Sequence, residues 1–302
     1  MIGLALLPAH AHADGYVSAA MEKIKGAVHE GTAAIALESL SAQRAWVIWR
    51  GYKATGDKKK LEQLRSLAAE KDSGALNVVG YLYSEGVDGV KKDSKRAVEL
   101  FRQAADAKLP LAAYNLGLLM MKGEGVAVDT RGAMTHFATA APDIPQAAVR
   151  VALLNVEIGR YQDSWAFAQM AAKKGDPWGH YLCGKLLMMG VGSGGLRKAR
   201  EHLALAVDGW HPDAAPLLAD IIDRQAADDS SGLSHIHAGS YRIVGQAMRQ
   251  ANPAAAVGLA RPDGLSNEEY ERAMSEATTW IGNHPKPQKP LHYNRPIPTP
   301  DA

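Results

Sequence analysis

The apolar positions of this chain fall into short runs of helical period, each interrupted by a polar stretch carrying glycine. At offsets −5, −1 and +3 from Gly117 stand Ala112, Leu116 and Met120; the same offsets from Gly80 give Ala75, Val79 and Tyr83, and from Gly184 they give Gly179, Cys183 and Leu187. Spacing of that kind draws one apolar stripe along a helix. A glycine inside a helix costs about 1 kcal/mol against alanine. Its return at one register therefore predicts a packing requirement, a place where a neighbouring helix comes close. The small anchors Gly80, Gly117, Ala152 and Gly184 recur every 32–37 residues. Behind each lies a second helical run marked by small or apolar residues eight apart: Ala97 and Ala105, Ala133 and Ala141, Ser164 and Ala172, Ala199 and Val207. A pattern repeating at such a period predicts stacked helix pairs, because one pair leaves an apolar face that only its neighbour can bury.

The breaks agree with that reading. Gly86, Gly123 and Gly190 end the first helix of a pair, where a left-handed residue favours glycine. Asp93 and Asp129 precede the second helix, where a carboxylate caps exposed backbone N–H groups. The predicted fold class is all-α, an α-solenoid of stacked antiparallel helix pairs. The array spans 57–230, with clear repeats over 74–142 and degenerate ones over 143–210. The segment from Leu40, within N-terminal helices at 14–56, forms a preceding first helix whose partner is 57–71.

The residues Ala112 to Ala133, "AAYNLGLLMMKGEGVAVDTRGA", and the set Gly80, Tyr83, Gly86, Val90, Asp93 and Ala97 resemble the Sel-one-like repeat, a relative of the tetratricopeptide repeat. Met120 stands where the family has tyrosine and Gly132 where it has lysine. The third unit, Gln146 to Asp176, lacks the glycine loop and is more similar to a plain tetratricopeptide hairpin; the fourth keeps "LCGKLLMMGVG" without the aspartate. The resemblance implies a protein-binding scaffold whose first helices line a concave face. Some secreted relatives staple each repeat with a disulfide, which one cysteine, Cys183, does not allow.

Outside the array the pattern changes. Residues 231–264 read as a linker with a short helix from Tyr241 to Gln250. A C-terminal helix at 265–282 opens on Ser266 and Glu269, a capping box. The tail 283–302 holds six of the 15 prolines and is expected to be extended, polyproline-like and largely unpacked. At the other end, Ile2 to Leu7 is apolar and Ala11-His12-Ala13 fits a small-x-small cleavage site. Residues 1–13 are expected to be the remnant of a secretory signal, which places the mature chain in the periplasm or outside the cell.

Composition adds mostly exclusions. With 34 Lys+Arg against 32 Asp+Glu there is no field to attract nucleic acid, and the run Lys58 to Lys60 reads as a solvated helix face. No stretch offers the ~20 apolar residues of a membrane span. Gly190-Val191-Gly192-Ser193-Gly194-Gly195 formally matches a dinucleotide fingerprint, but it follows a helix rather than a strand. His235 and His237, with Asp228 or Asp229, are weak metal candidates in a predicted loop. His136, His180 and His202 are expected on helices of different repeats. No catalytic residue, metal or cofactor is expected.

What remains is a surface. Offsets −3, +1, +4 and +5 from the anchors give Asn77, Tyr81, Ser84 and Glu85; Tyr114, Leu118, Met121 and Lys122; and Tyr181, Lys185, Met188 and Met189. Tyrosine and methionine there suit an adaptable groove for a protein or peptide, though the same residues serve equally well in packing between repeats. The expected function is a non-enzymatic adaptor of a bacterial envelope. A regulator of, or enzyme associated with, cell-wall chemistry, and a secreted effector docking host proteins, are the alternatives.

Overall fold

The computed structural model describes residues 30–87, 89–226, 231, 233–250, 259–287 and 297. The expected leader at 1–13, Asp228 and Asp229, and the tail apart from its first few residues and Ile297 lie outside them. Among the described residues there are thirteen α-helices and no strand. They form two compact units: one runs to Ala140 and takes in Ile297, the other begins at Ala141.

In the first unit, α1 (Glu30–Thr55) and α2 (Lys58–Ala69) pack on each other and on α3 (Ser73–Glu85). The stack continues through α4 (Ser94–Asp106), α5 (Pro110–Lys122) and α6 (Thr130–Ala140), each helix against the one before it. Sequence explains where they start. Asp57, Asp72 and Asp93 are N-caps whose carboxylates accept from the N–H groups of Lys59, Ala75 and Arg96. Asp129 accepts from Gly132 N–H at 2.8 Å. α5 instead opens on Pro110, whose missing N–H costs nothing at a first helical position.

The two inner pairs share one interior device. A Cβ on Gly80 would come within 2.9 Å of the Phe101 ring, and one on Gly117 within 2.7 Å of Phe137. The recurring glycine is thus a seat for an aromatic ring of the paired helix, rather than a crossing of two backbones. Both phenylalanines are wholly buried, each burial stabilising by about 1.5–3 kcal/mol. Gly86 and Gly123 end α3 and α5 in the left-handed region at φ 67° and 70°. The following loops are eight and seven residues long, and each is tied back: Asp93 N–H donates to Tyr83 O (2.9 Å) and Asp129 N–H to Met120 O (3.1 Å).

In the second unit, α7 (Pro145–Glu157), α8 (Tyr161–Lys173), α9 (Pro177–Met188), α10 (Gly195–Asp208), α11 (Ala214–Gln225), α12 (Leu233–Met248) and α13 (Asn267–Asn283) again pack in chain order. The seat persists with a smaller guest: Gly184 faces Leu203, whose Cγ would lie 2.5 Å from an added Cβ. The α7–α8 connection has shrunk to three residues, Ile158 to Arg160, turning through Gly159 at φ 74° with nothing within 4 Å of its missing Cβ. In the glycine-rich α9–α10 loop, Gly190 (φ 80°) and Gly192 (φ 87°) are left-handed, and Gly192 lies under Trp165, 2.8 Å from a built Cβ. That loop joins two helices.

One expectation changes here. The linker and short helix expected at 231–264 contain α12, which begins at Leu233 and buries Ile236, Ile243, Val244 and Met248 at helical spacing. The polar residues between them had masked that stripe. At the other end, Ser266 and Glu269 form the capping box that opens α13.

Candidate functional site

α3 and α5 bring two asparagines together beneath a piece of the C-terminal tail. Asn115 Nδ2 donates to Asn77 Oδ1 (2.9 Å) and to the Ile297 carbonyl oxygen (2.7 Å). Asn115 Oδ1 accepts from the Ile297 N–H at 2.7 Å, and Asn77 Nδ2 donates to the same carbonyl at 3.3 Å. One peptide unit's donor and acceptor are thus both met by side-chain amides. Asn77 and Asn115 are 1% and 0% exposed, and Ile297 is 6% exposed. At Ile297, then, the tail is packed rather than unpacked: its N–H and C=O find partners that extended backbone cannot supply itself. A buried amide left unpaired costs about 1–3 kcal/mol, so this set of bonds is well worth keeping whole.

The other groove candidates divide. Tyr114 and Leu118 are 0% and 1% exposed, and the Tyr114 ring lies 5.7 Å from that of Phe137. Both are interior, which removes them from the contact surface. Their offsets pointed at the neighbouring helix, and period alone does not separate a packed interface from an open one. Ser84 is buried as well, its hydroxyl donating to Tyr81 O. Tyr81, half-buried, meets Trp49 edge-on at 5.9 Å. Glu85 and Met121 are half-buried, and Lys122 is exposed with Nζ 3.9 Å from Glu124. Asn115 was missed, although a signal existed: an asparagine inside "LAAYNLGLLMM" is a polar group in a helix apolar all round, and such a group needs a partner. The repeat positions Ala97 and Ala133 are fully buried.

In the second unit Tyr181 and Lys185 belong to a different feature. The half-buried Tyr181 ring stacks on His211 at 4.1 Å and 11°, Trp178 closes edge-on at 4.4 Å, and Lys185 Nζ lies 5.8 Å over Tyr181. Met188 is half-buried and Met189 exposed. Neither ring nitrogen of His211, nor Trp210 Nε1, has a hydrogen-bond partner among the described residues. Burial drives the His211 pKa down to about 4, against the pull of nearby Asp213. His180 and His202 belong to one helix pair rather than to different repeats, their Nδ1 atoms 3.0 Å apart. Burial lowers both, and His202 lowers His180 further.

The remaining chemical candidates sit apart. His235 and His237 are on α12, not in a loop, and turn to separate carboxylates, Asp223 (3.3 Å) and Glu276 (2.7 Å). Among the described residues no three His, Cys, Asp or Glu side chains group to hold a metal. Cys183 is buried, its thiol pushed up to about 12 by desolvation. No described helix is long and apolar enough to cross a membrane.

Known proteins place these helices. The Sel1 repeat model matches residues 73–109 and 110–141, that is α3–α4 and α5–α6. Among curated proteins the chain is similar to chitin synthase regulatory factor 3 of Schizosaccharomyces pombe, 35% identical over 81 residues covering 26% of this chain and 9% of that one. It is also similar to the ERAD-associated E3 ubiquitin-protein ligase component HRD3B of Arabidopsis thaliana, 43% identical over 58 residues, 19% of this chain and 10% of that one. The chain thus spans about a tenth of the length of these relatives. Among solved structures, a Sel1 repeat protein from Oxalobacter formigenes superposes with TM-score 0.59 at 21% identity, covering 77% of this chain and 99% of that one. The protein c5321, a protective antigen of uropathogenic Escherichia coli with an SLR fold, gives 0.67 at 17% identity, covering 91% and 64%. Those structural likenesses carry the fold alone. Residues 73–141 match two Sel1 repeats, and the described helices share the α-solenoid fold of the solved Sel1-repeat structures.

Proposed function

We propose that this chain is a non-enzymatic interaction scaffold that binds an extended segment of a partner protein on the α3–α5 face of its Sel1 repeats. The observation behind this reading is the Asn77–Asn115 pair, which meets both polar groups of one backbone unit. Amides that engage backbone rather than side chains accept many sequences, as an added strand does at a sheet edge. Half-buried Tyr81, one helical turn beyond Asn77, and half-buried Met121 supply adaptable apolar area, and exposed Lys122 favours an acidic neighbour modestly. The roles named for the curated relatives, a regulatory factor and a ligase component, suit an adaptor. A second reading, a regulator of cell-wall chemistry, has the chitin synthase regulatory factor in its favour, over 81 residues.

The proposed location is the bacterial envelope, on the strength of Ala11-His12-Ala13; N-terminal sequencing of the native protein is expected to begin at Asp14, and an intact Met1 on cytosolic protein overturns it. The binding reading is tested by affinity purification from the native host with three forms. Wild type and Lys58→Ala are expected to retain the same partner, and Asn115→Ala, shown folded by circular dichroism, to lose it. Retention by folded Asn115→Ala moves the binding surface elsewhere.

A further inference from the structure

The amide pair already holds a peptide, and the peptide is this chain's own. Ile297 reaches Asn115 across 182 residues of sequence and Asn77 across 220. Its surroundings are unusual in their chemistry: in Arg295-Pro296-Ile297-Pro298-Thr299-Pro300 every second residue is proline. Proline has no N–H, so the Ile297 amide is the single donor between Pro296 and Pro298, and it is the one Asn115 Oδ1 takes. A residue preceding proline is biased to extended backbone, and proline-rich chain loses little entropy on docking. Such a segment is presented ready-formed, with one donor, one strong acceptor and one apolar side chain in reach of the site.

We infer that the tail around Ile297 is an intramolecular ligand of the Asn77–Asn115 clamp, and that the partner recognised there carries an extended segment of the same kind, an apolar residue between prolines. Tail and partner therefore exclude one another. The inference rests on the peptide-binding reading of this face. It also sets what the clamp rejects: a proline at the central position, which removes the N–H, and a charged residue there, which would have to be buried.

The test uses the full chain and, as probe, a fluorescein-labelled peptide with the sequence of residues 291–302. Fluorescence anisotropy is expected to show the probe binding Ile297→Asp, whose own tail is ejected, about tenfold or more tightly than wild type. Adding Asn115→Ala to that variant, or N-methylating the probe's isoleucine amide, should weaken binding about tenfold or more. Equal affinity for wild type and Ile297→Asp overturns the inference, as does no binding to either, which makes the tail a fixed strap. Should Ile297→Asp not fold, hydrogen exchange on wild type decides: the Ile297 amide is expected to be protected and to be released by excess unlabelled probe, and unchanged exchange overturns the idea. Sedimentation is expected to show a monomer; a dimer that Ile297→Asp dissociates means docking between copies and overturns the intramolecular form. The two proposals fail separately. A host partner lost with Asn115→Ala while the probe does not bind keeps the function and removes the tail; probe binding that no host protein competes for does the reverse.

Discussion

The helix pair α5–α6 and the helix pair α9–α10 solve the same packing problem with different inventories. Each sets a glycine, Gly117 or Gly184, under a large side chain of the paired helix, Phe137 in one and Leu203 in the other. Around that seat the first pair keeps a seven-residue loop, a left-handed Gly123 and a capping Asp129. The second has a six-residue loop with no side-chain cap on its second helix. Their polar interiors differ more. Asn115 has its donor and acceptor capacity met, whereas His211, packed against Tyr181 of α9, has neither ring nitrogen bonded among the described residues. The seat and the apolar stripe are what both pairs retain; caps and loop length vary around them. Which polar group is placed inside decides whether a pair can present a binding chemistry or a pH-dependent weakness.

The comparison breaks most severely at the seats. Phe137→Ala is expected to cost about 3–5 kcal/mol and Leu203→Ala about 2–5 kcal/mol, measured by urea unfolding followed by circular dichroism; near-zero losses in both would mean the glycines are not seats. Next comes pH. His211 has its folded pKa depressed to about 4, with burial the main cause and Arg249 adding to it. A histidine favoured neutral in the fold contributes its full stability above the unfolded value near 6.5, and loses it as pH falls from there towards 4. The loss is at most about 3 kcal/mol. His211→Phe, which keeps a ring against Tyr181, is expected to flatten that part of the stability profile; an unchanged slope assigns it to other groups.

Smaller effects test the loops. Gly123→Val puts a β-branched residue at φ 70°, with Val128 Cγ2 2.7 Å from its Cβ, and is expected to cost about 2 kcal/mol. Gly159→Ala, at a similar φ but with open space around it, should cost less, and thermal unfolding of the two variants gives the order. Asp129→Ala removes the cap on Gly132 N–H and is expected to cost about 1 kcal/mol. A silent Asp129→Ala would make the loop's own backbone bond, Asp129 N–H to Met120 O, sufficient to start the helix.

The repeats were legible in the sequence because glycine inside a helix is costly and so recurs only where it is needed; Gly80, Gly117 and Gly184 mark the fold by themselves. Gly86, Asp93, Gly123 and Asp129 were legible for the same kind of reason, each being the residue that one backbone position favours. The face was read less well. Asn77 and Tyr114 share one offset, yet the first meets the tail and the second lies against Phe137, since equivalent positions in successive repeats need not have equivalent neighbours. Asn115 lay one position from the offset chosen, and its partner is 182 residues away, a separation no local pattern spans. Only the second half of α12, from Tyr241, is legible as helix, because His235, His237 and Ser240 interrupt the stripe that Ile236, Ile243 and Val244 draw.

The bare turn at Gly159 has a consequence for building on this protein. Residues 157–160 are exposed, and an added Cβ at Gly159 meets nothing within 4 Å, whereas one at Gly125 would run into the Ser94 carbonyl oxygen at 2.2 Å. A fluorescent reporter or an extra domain spliced in at Gly159 enters open solvent, with helices on both sides to re-form the junction. The same cargo at Gly125 would have to prise one repeat's loop off its neighbour. The short connection is the socket; the ornate one is closed.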